Sequence, residues 1–194
     1  MTSAPLEPEP IRVVLDCNVF IDAAAHVGPG RGLSALPSPP PPVNPGPHPA
    51  AQTLTVVLQG VFAEPLKIIP CISDHIINTT LAKLKQPPAT RPGEEGGLGW
   101  SDEDALAFVQ EVVNGFDAVG GIDIDVSVAR DSPPLKHEDG MVMATVYETG
   151  AKFFITSDGP FRGRANGQFG IVALSPRDFV TMVSSYRSKS YRGR

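Results

Sequence analysis

Cysteine is nearly absent from this 194-residue chain, which has only Cys17 and Cys71. Two are too few for a disulfide framework, and neither stands in a Cys/His cluster with metal-ligand spacing. Both lie in apolar, strand-like runs, which reads as two buried free thiols in a reducing compartment. Excess positive charge is lacking too. The net charge is −5, which argues against a generic DNA-coating protein. It leaves nucleases open, because an acidic pocket neutralised by metal still accepts a phosphate. No run approaches the roughly 18 apolar residues of a membrane span. The stretch 1–10 is proline-rich and acidic, without the apolar core of a signal peptide. The expectation is a cytoplasmic protein with no membrane partner.

What the chain does have is enough apolar residue, 41%, for a core, and a length that fits one domain with extra loop material. Proline and glycine concentrate in two low-complexity inserts, at 28–50 and 86–100. The first (GPGRGLSALPSPPPPVNPGPHP) admits neither helix nor strand, and its prolines favour polyproline II. A basic tail at 187–194 is expected to fray.

Between these stretches strand and helix signals alternate. IRVVLD (11–16) is β-branched and apolar, and a brief helix is expected over 20–25. Leu54, Val57, Leu58, Val61 and Phe62 share one helical face, which predicts a helix over 52–63. Strands follow at 66–72, 122–126, 152–156 and 169–174. Helices are expected from Ser73 to about Leu84, from Ser101, over 138–149, and from Ser175–Pro176 to about Tyr186. Strands alternating with helices five times predict a parallel, doubly wound α/β sheet.

In such sheets the site lies beyond the carboxyl ends of the strands. Asp16 ends the first strand and Asp158 follows the fourth. Asp139 lies in the first turn of the helix that feeds the fourth, where the helix dipole favours an anion. These three acids are expected to converge on one pocket. Clustered carboxylates coexist when a cation sits between them. With no His or Cys set nearby, hard oxygen ligands indicate Mg2+ or Mn2+. Arg162 and Arg164, in the following Gly-rich loop, are candidate phosphate clamps, with a plain solvated loop as the alternative.

The stretches LDCNVFIDA (15–23), HEDGMVMATVYETGAKFFITSD (137–158) and SPRDFV (175–180) resemble the PIN-domain family, many of whose members are the ribonuclease toxins of toxin–antitoxin pairs. The resemblance spans most of the chain outside the inserts. It implies a three-layer α/β/α sandwich with a five-stranded parallel sheet of order 3-2-1-4-5. It implies Mg2+ or Mn2+ on a carboxylate cluster, RNA as substrate, a homodimer, and in toxin members an antitoxin protein that covers the site. Asp16, Asp139 and Asp158 match the family's acids. Asn18 matches the polar residue that orients them, and Thr156 the hydroxyl two positions before the last acid. One position departs. The family's acid on the helix after the second strand falls here on Asn78 or Thr79. Asn78 offers a carbonyl oxygen without charge. Asp74, one turn earlier on the same face, is either a substitute acting through water or an ordinary helix-start acid.

Two other readings compete with a metal-dependent endoribonuclease. One is a PIN-like module that binds RNA or a partner protein without cutting, and the uncharged Asn78 motivates it. The other is a haloacid-type phosphatase, which wants a second Asp two positions after the first, where this chain has Asn18.

Overall fold

The computed structural model describes residues 8–37, 46–130 and 136–192. Its centre is β1 (Ile11–Leu15), whose Val13, Val14 and Leu15 are buried on both faces. It pairs in parallel with β3 (Leu66–Ser73) on one side and β5 (Phe153–Ile155) on the other. Outside these, β4 (Ile122–Ile124) lies parallel to the end of β3, and β6 (Val172–Leu174) parallel to β5. Counting these five strands alone, the spatial order is the 3-2-1-4-5 expected. A sixth strand corrects the expectation of a purely parallel sheet. β2 (Val61–Ala63) runs antiparallel to the start of β3, so the fold is α/β with a mixed, mostly parallel sheet.

β2 arises where one continuous helix was expected. The apolar face does begin as predicted, with Leu54 and Val57 fully buried in α2 (Pro49–Leu58). Gly60 then takes φ +65°, a left-handed conformation that ends helices and that glycine adopts without steric cost. Past it Val61 and Phe62 turn back along β3.

The helices α1 (Cys17–Val27), α3 (Asp74–Lys85), α4 (Asp102–Ala118), α5 (His137–Glu148) and α7 (Pro176–Arg192) complete the frame with α6 (Gly159–Ala165). α1 is longer than expected because Val19, Phe20, Ala23, Ala24 and Val27 all bury one face, and Gly28 at φ +81° stops it. α6 replaces the Gly-rich loop that the composition of 159–165 predicts. It forms because Asp158 caps it and a proline occupies its first turn, while Phe161 and Ala165, one turn apart, are buried. Ser73 and Ser101 cap α3 and α4 through the N–H groups of Ile76 and Asp104, as their sequences predict.

The second insert has no helix or strand, yet it is tied down. Leu98 and Trp100 donate backbone N–H groups to Lys83 and Leu84, closing the end of α3, and Trp100 packs edge-on against Phe108. In the first insert a 3-10 turn spans Leu33–Ala35, and 38–45 lie outside the described residues. The expected frayed tail is helical through Arg192, and Arg187 donates to the Val61 and Phe62 carbonyls of β2. Among the described residues no helix is long and apolar enough to cross a membrane.

Candidate functional site

Asp16 is the first residue past β1. Its backbone N–H donates to the Ile155 carbonyl at 2.9 Å, which carries the β1–β5 pairing one step further. Its side chain meets Thr156 at the end of β5. The Thr156 hydroxyl donates to Asp16 Oδ2 at 2.6 Å, and Asn18 Nδ2 donates to the same oxygen at 3.1 Å. The Cys17 thiol donates to Oδ1 at 3.3 Å. Only 2% of Asp16 is exposed.

The donors found for this buried carboxylate are neutral ones: hydroxyl, amide and thiol. Burial raises the Asp16 carboxyl above its usual range. The hydrogen bonds from Thr156 and Cys17 pull it back in part, and the negative charge of Asp139 adds to the rise. Burial also pushes the Cys17 thiol up, and the charge of Asp16 adds to this. Cys17 is a donor here.

Thr156 also accepts from the Asp158 backbone N–H at 3.0 Å. One hydroxyl therefore links the first and last acids of the expected set. The carboxylate of Asp158 turns to α6, where its Oδ1 accepts from Phe161 N–H at 2.8 Å. Asp139, in the first turn of α5, pairs with Arg164 Nη2 of α6 at 2.9 Å. Its side chain is 20% exposed and that of Arg164 40%.

The structure thus brings Asp16, Asn18, Thr156 and the backbone of Asp158 into direct contact, with Asp139 near enough for its charge to act on Asp16. Asp139 and Asp158 each engage a partner of their own. Among the described residues no three His, Cys, Asp or Glu side chains stand close enough to hold one metal ion. Arg162, half-buried in α6, makes no ion pair among those residues.

Asp74 and Asn78 are not drawn into this contact network. Both are exposed on α3. Asp74 Oδ1 accepts from the Val126 N–H at 3.2 Å, fastening the segment after β4. Its charge also contributes to raising the Asp123 carboxyl, after burial and the charge of Asp117.

Two contacts were not anticipated. Ser157 donates its hydroxyl to Asp22 Oδ2 at 2.7 Å, joining the segment after β5 to the exposed side of α1. Asp139 carries an arginine as its counter-ion. The acid of the first pair stands within the motif 15–23, but no local pattern joins it to Ser157. No family model, no curated protein and no solved structure matches the chain.

Proposed function

We propose that the protein is a metal-dependent endoribonuclease of the PIN-like type, hydrolysing phosphodiester bonds of single-stranded RNA with Mg2+ or Mn2+. The observation that carries this reading is Asp16. A carboxylate buried to 2% exposure and held by neutral donors is costly to keep ionised, and a cation beside it would remove that cost. The carboxylate oxygens of Asp16, Asp139 and Asp158 are the hard donors that a divalent ion such as Mg2+ or Mn2+ takes.

On this reading Asp16, Asp139 and Asp158 would hold the ion, with Asp139 turning from Arg164 and Asp158 from the Phe161 N–H to do so. Asn18 and Thr156 hold the Asp16 carboxylate in place through its Oδ2. Bound there, such an ion would supply an acidified water and a counter-charge for the reacting phosphate. Arg164, paired with Asp139, and Arg162 of the same helix would hold the substrate phosphate. The three-layer α/β/α arrangement, a homodimer, and an antitoxin-like protein that covers the site belong to the same proposal.

The experiment is cleavage of single-stranded RNA with Mn2+ or Mg2+ added. We expect cleavage that EDTA stops and Asp16→Asn abolishes. Robust cleavage in excess EDTA would overturn the proposal. A second reading, a PIN-like module that binds RNA or a protein without cutting, is favoured by the uncharged Asn78 and by the engagement of Asp139 with Arg164. Calorimetric titration with Mn2+ separates the two. A micromolar-class site supports the enzyme, and no heat supports the module.

A further inference from the structure

The ribonuclease reading makes no use of the proline-rich insert, yet its described end builds a wall beside the acidic centre. A groove of about 440 Å3 is lined there by Asp22, Pro47, His48, Ser157, Pro176 and Arg177. Ser157 connects it to the centre. It stands between Thr156, which holds Asp16, and Asp158, and its hydroxyl fixes Asp22 at 2.7 Å. The groove and the acids thus share the segment 156–158.

The walls suit one nucleotide. The His48 ring lies 3.8 Å from that of His26, centroid to centroid, tilted by 32°. It is held as a plate next to the rigid rings of Pro47 and Pro49. An aromatic face such as that of His48 stacks bases without regard to sequence. Across the groove, Arg177 stands exposed in the first turn of α7 and makes no ion pair among the described residues. A guanidinium in that state is a ready phosphate ligand. The Asp22 carboxylate repels a phosphate, so the phosphate side of the nucleotide is the Arg177 side. Its carboxylate accepts well from the amino and imino groups of a base. The volume falls within the range of ligand pockets, roughly 300–1,000 Å3.

We infer that this groove binds a nucleotide adjoining the cut phosphodiester of single-stranded RNA, with its base against His48 and its phosphate on Arg177. The inference rests on the ribonuclease reading and adds a role for the insert. The function of Pro47–Pro49 is then to shape a substrate subsite.

The test is fluorescence anisotropy of a labelled single-stranded 12-mer RNA with the full chain in EDTA, where cleavage is blocked. Arg177→Ala and His48→Ala should each weaken binding about tenfold. Arg177→Ala should also reduce the slope of log affinity against log salt by about 1. Arg91→Ala, an exposed cation in the second insert, should leave binding unchanged. Both groove side chains are exposed, so the variants should keep the wild-type unfolding midpoint. Crosslinking of the wild-type chain to 4-thiouridine RNA gives an independent check, with the crosslink expected in 47–49 or 175–177. If wild-type protein binds RNA while both variants bind equally well, or if crosslinks fall only elsewhere, the groove is overturned and the ribonuclease reading stands. If wild-type protein binds no RNA in EDTA or with Mn2+, both fall together.

Discussion

Thr156 donates its hydroxyl to Asp16 Oδ2 at 2.6 Å, although the two residues stand 140 positions apart. The contact exists because β1 and β5 are parallel neighbours that end side by side, with Val13 opposite Phe153 and Leu15 opposite Ile155. The same hydroxyl accepts from the Asp158 N–H, so losing it leaves one buried acceptor short and one donor unpaired. Thr156→Val keeps the shape and removes both bonds. We expect it to lower unfolding free energy by about 2 kcal/mol at pH 7, measured by urea titration. A loss below about 0.5 kcal/mol would mean that the hydroxyl contributes nothing to holding Asp16.

The raised Asp16 carboxyl makes a pH prediction for the metal-free protein. Because its folded pKa lies above the unfolded value, the folded state holds the proton more tightly. The stability from this group is therefore complete below the ordinary carboxylate range, about pH 4. It is lost as pH rises through the raised folded value. Asp16→Asn cannot titrate. In EDTA, the stability difference between variant and wild type should therefore shift toward the variant as pH rises, by at most about 1.4 kcal/mol per pH unit. Unfolding curves from pH 4 to 8 check this, and a difference that moves the other way excludes burial as the dominant influence on Asp16.

How much of this was open to reading follows from where the forces lie. The end of β1 at Asp16 and the caps at Ser73 and Ser101 are local, and local chemistry shows in the sequence. β2 was hidden because apolar spacing runs on from Leu54 to Phe62, and only Gly60 marks the break. α6 was hidden because GPFRGRA has the composition of a loop, although Asp158 two residues before a proline is a helix-start signal. Asn18 and Thr156 stand out only by family resemblance, and their contacts with Asp16 depend on three-dimensional placement. The pairing of Asp139 with Arg164 is tertiary, 25 positions apart and between two helices, and no periodicity encodes it.

That pair bears on metal affinity. A guanidinium 2.9 Å from Asp139 Oδ2 competes with any cation for that carboxylate, and its charge opposes a second cation nearby. The pair is part-exposed, so breaking it costs at most about 1 kcal/mol. Arg164→Ala should therefore tighten Mn2+ binding by up to about fivefold in calorimetric titration while slowing RNA cleavage. Weaker Mn2+ binding in the variant would mean that Arg164 organises the acids instead of competing for one.

Asp74 offers a contrast. It lies one turn from Asn78, the position where the resemblance expects an acid, but its carboxylate holds the Val126 N–H at 3.2 Å. Fastening the segment after β4 is a structural task. Asp74→Ala should cost about 1 kcal/mol of stability and leave Mn2+ affinity within twofold of wild type. A tenfold loss of Mn2+ affinity would instead make Asp74 a water-mediated ligand.

Thr80 allows a test free of any functional reading. It is 3% exposed on α3, and its hydroxyl has no hydrogen-bond partner among the described residues. It faces Phe20, Ile72, Ile77, Phe108 and Val112 across a space of about 10 Å3. That is at the lower edge of the room a water molecule needs, about 10–15 Å3, and the walls give such a water almost nothing to bond. An unpaired buried hydroxyl carries its full desolvation cost. Thr80→Val replaces that hydroxyl with a methyl group of similar shape, adding contact with the apolar wall. We expect stability to rise by about 1 kcal/mol, seen as an increase of about 2–4 °C in Tm by calorimetry. A fall in Tm would show that the hydroxyl has a partner in solution, the α3 carbonyl one turn back being the nearest in sequence able to accept it.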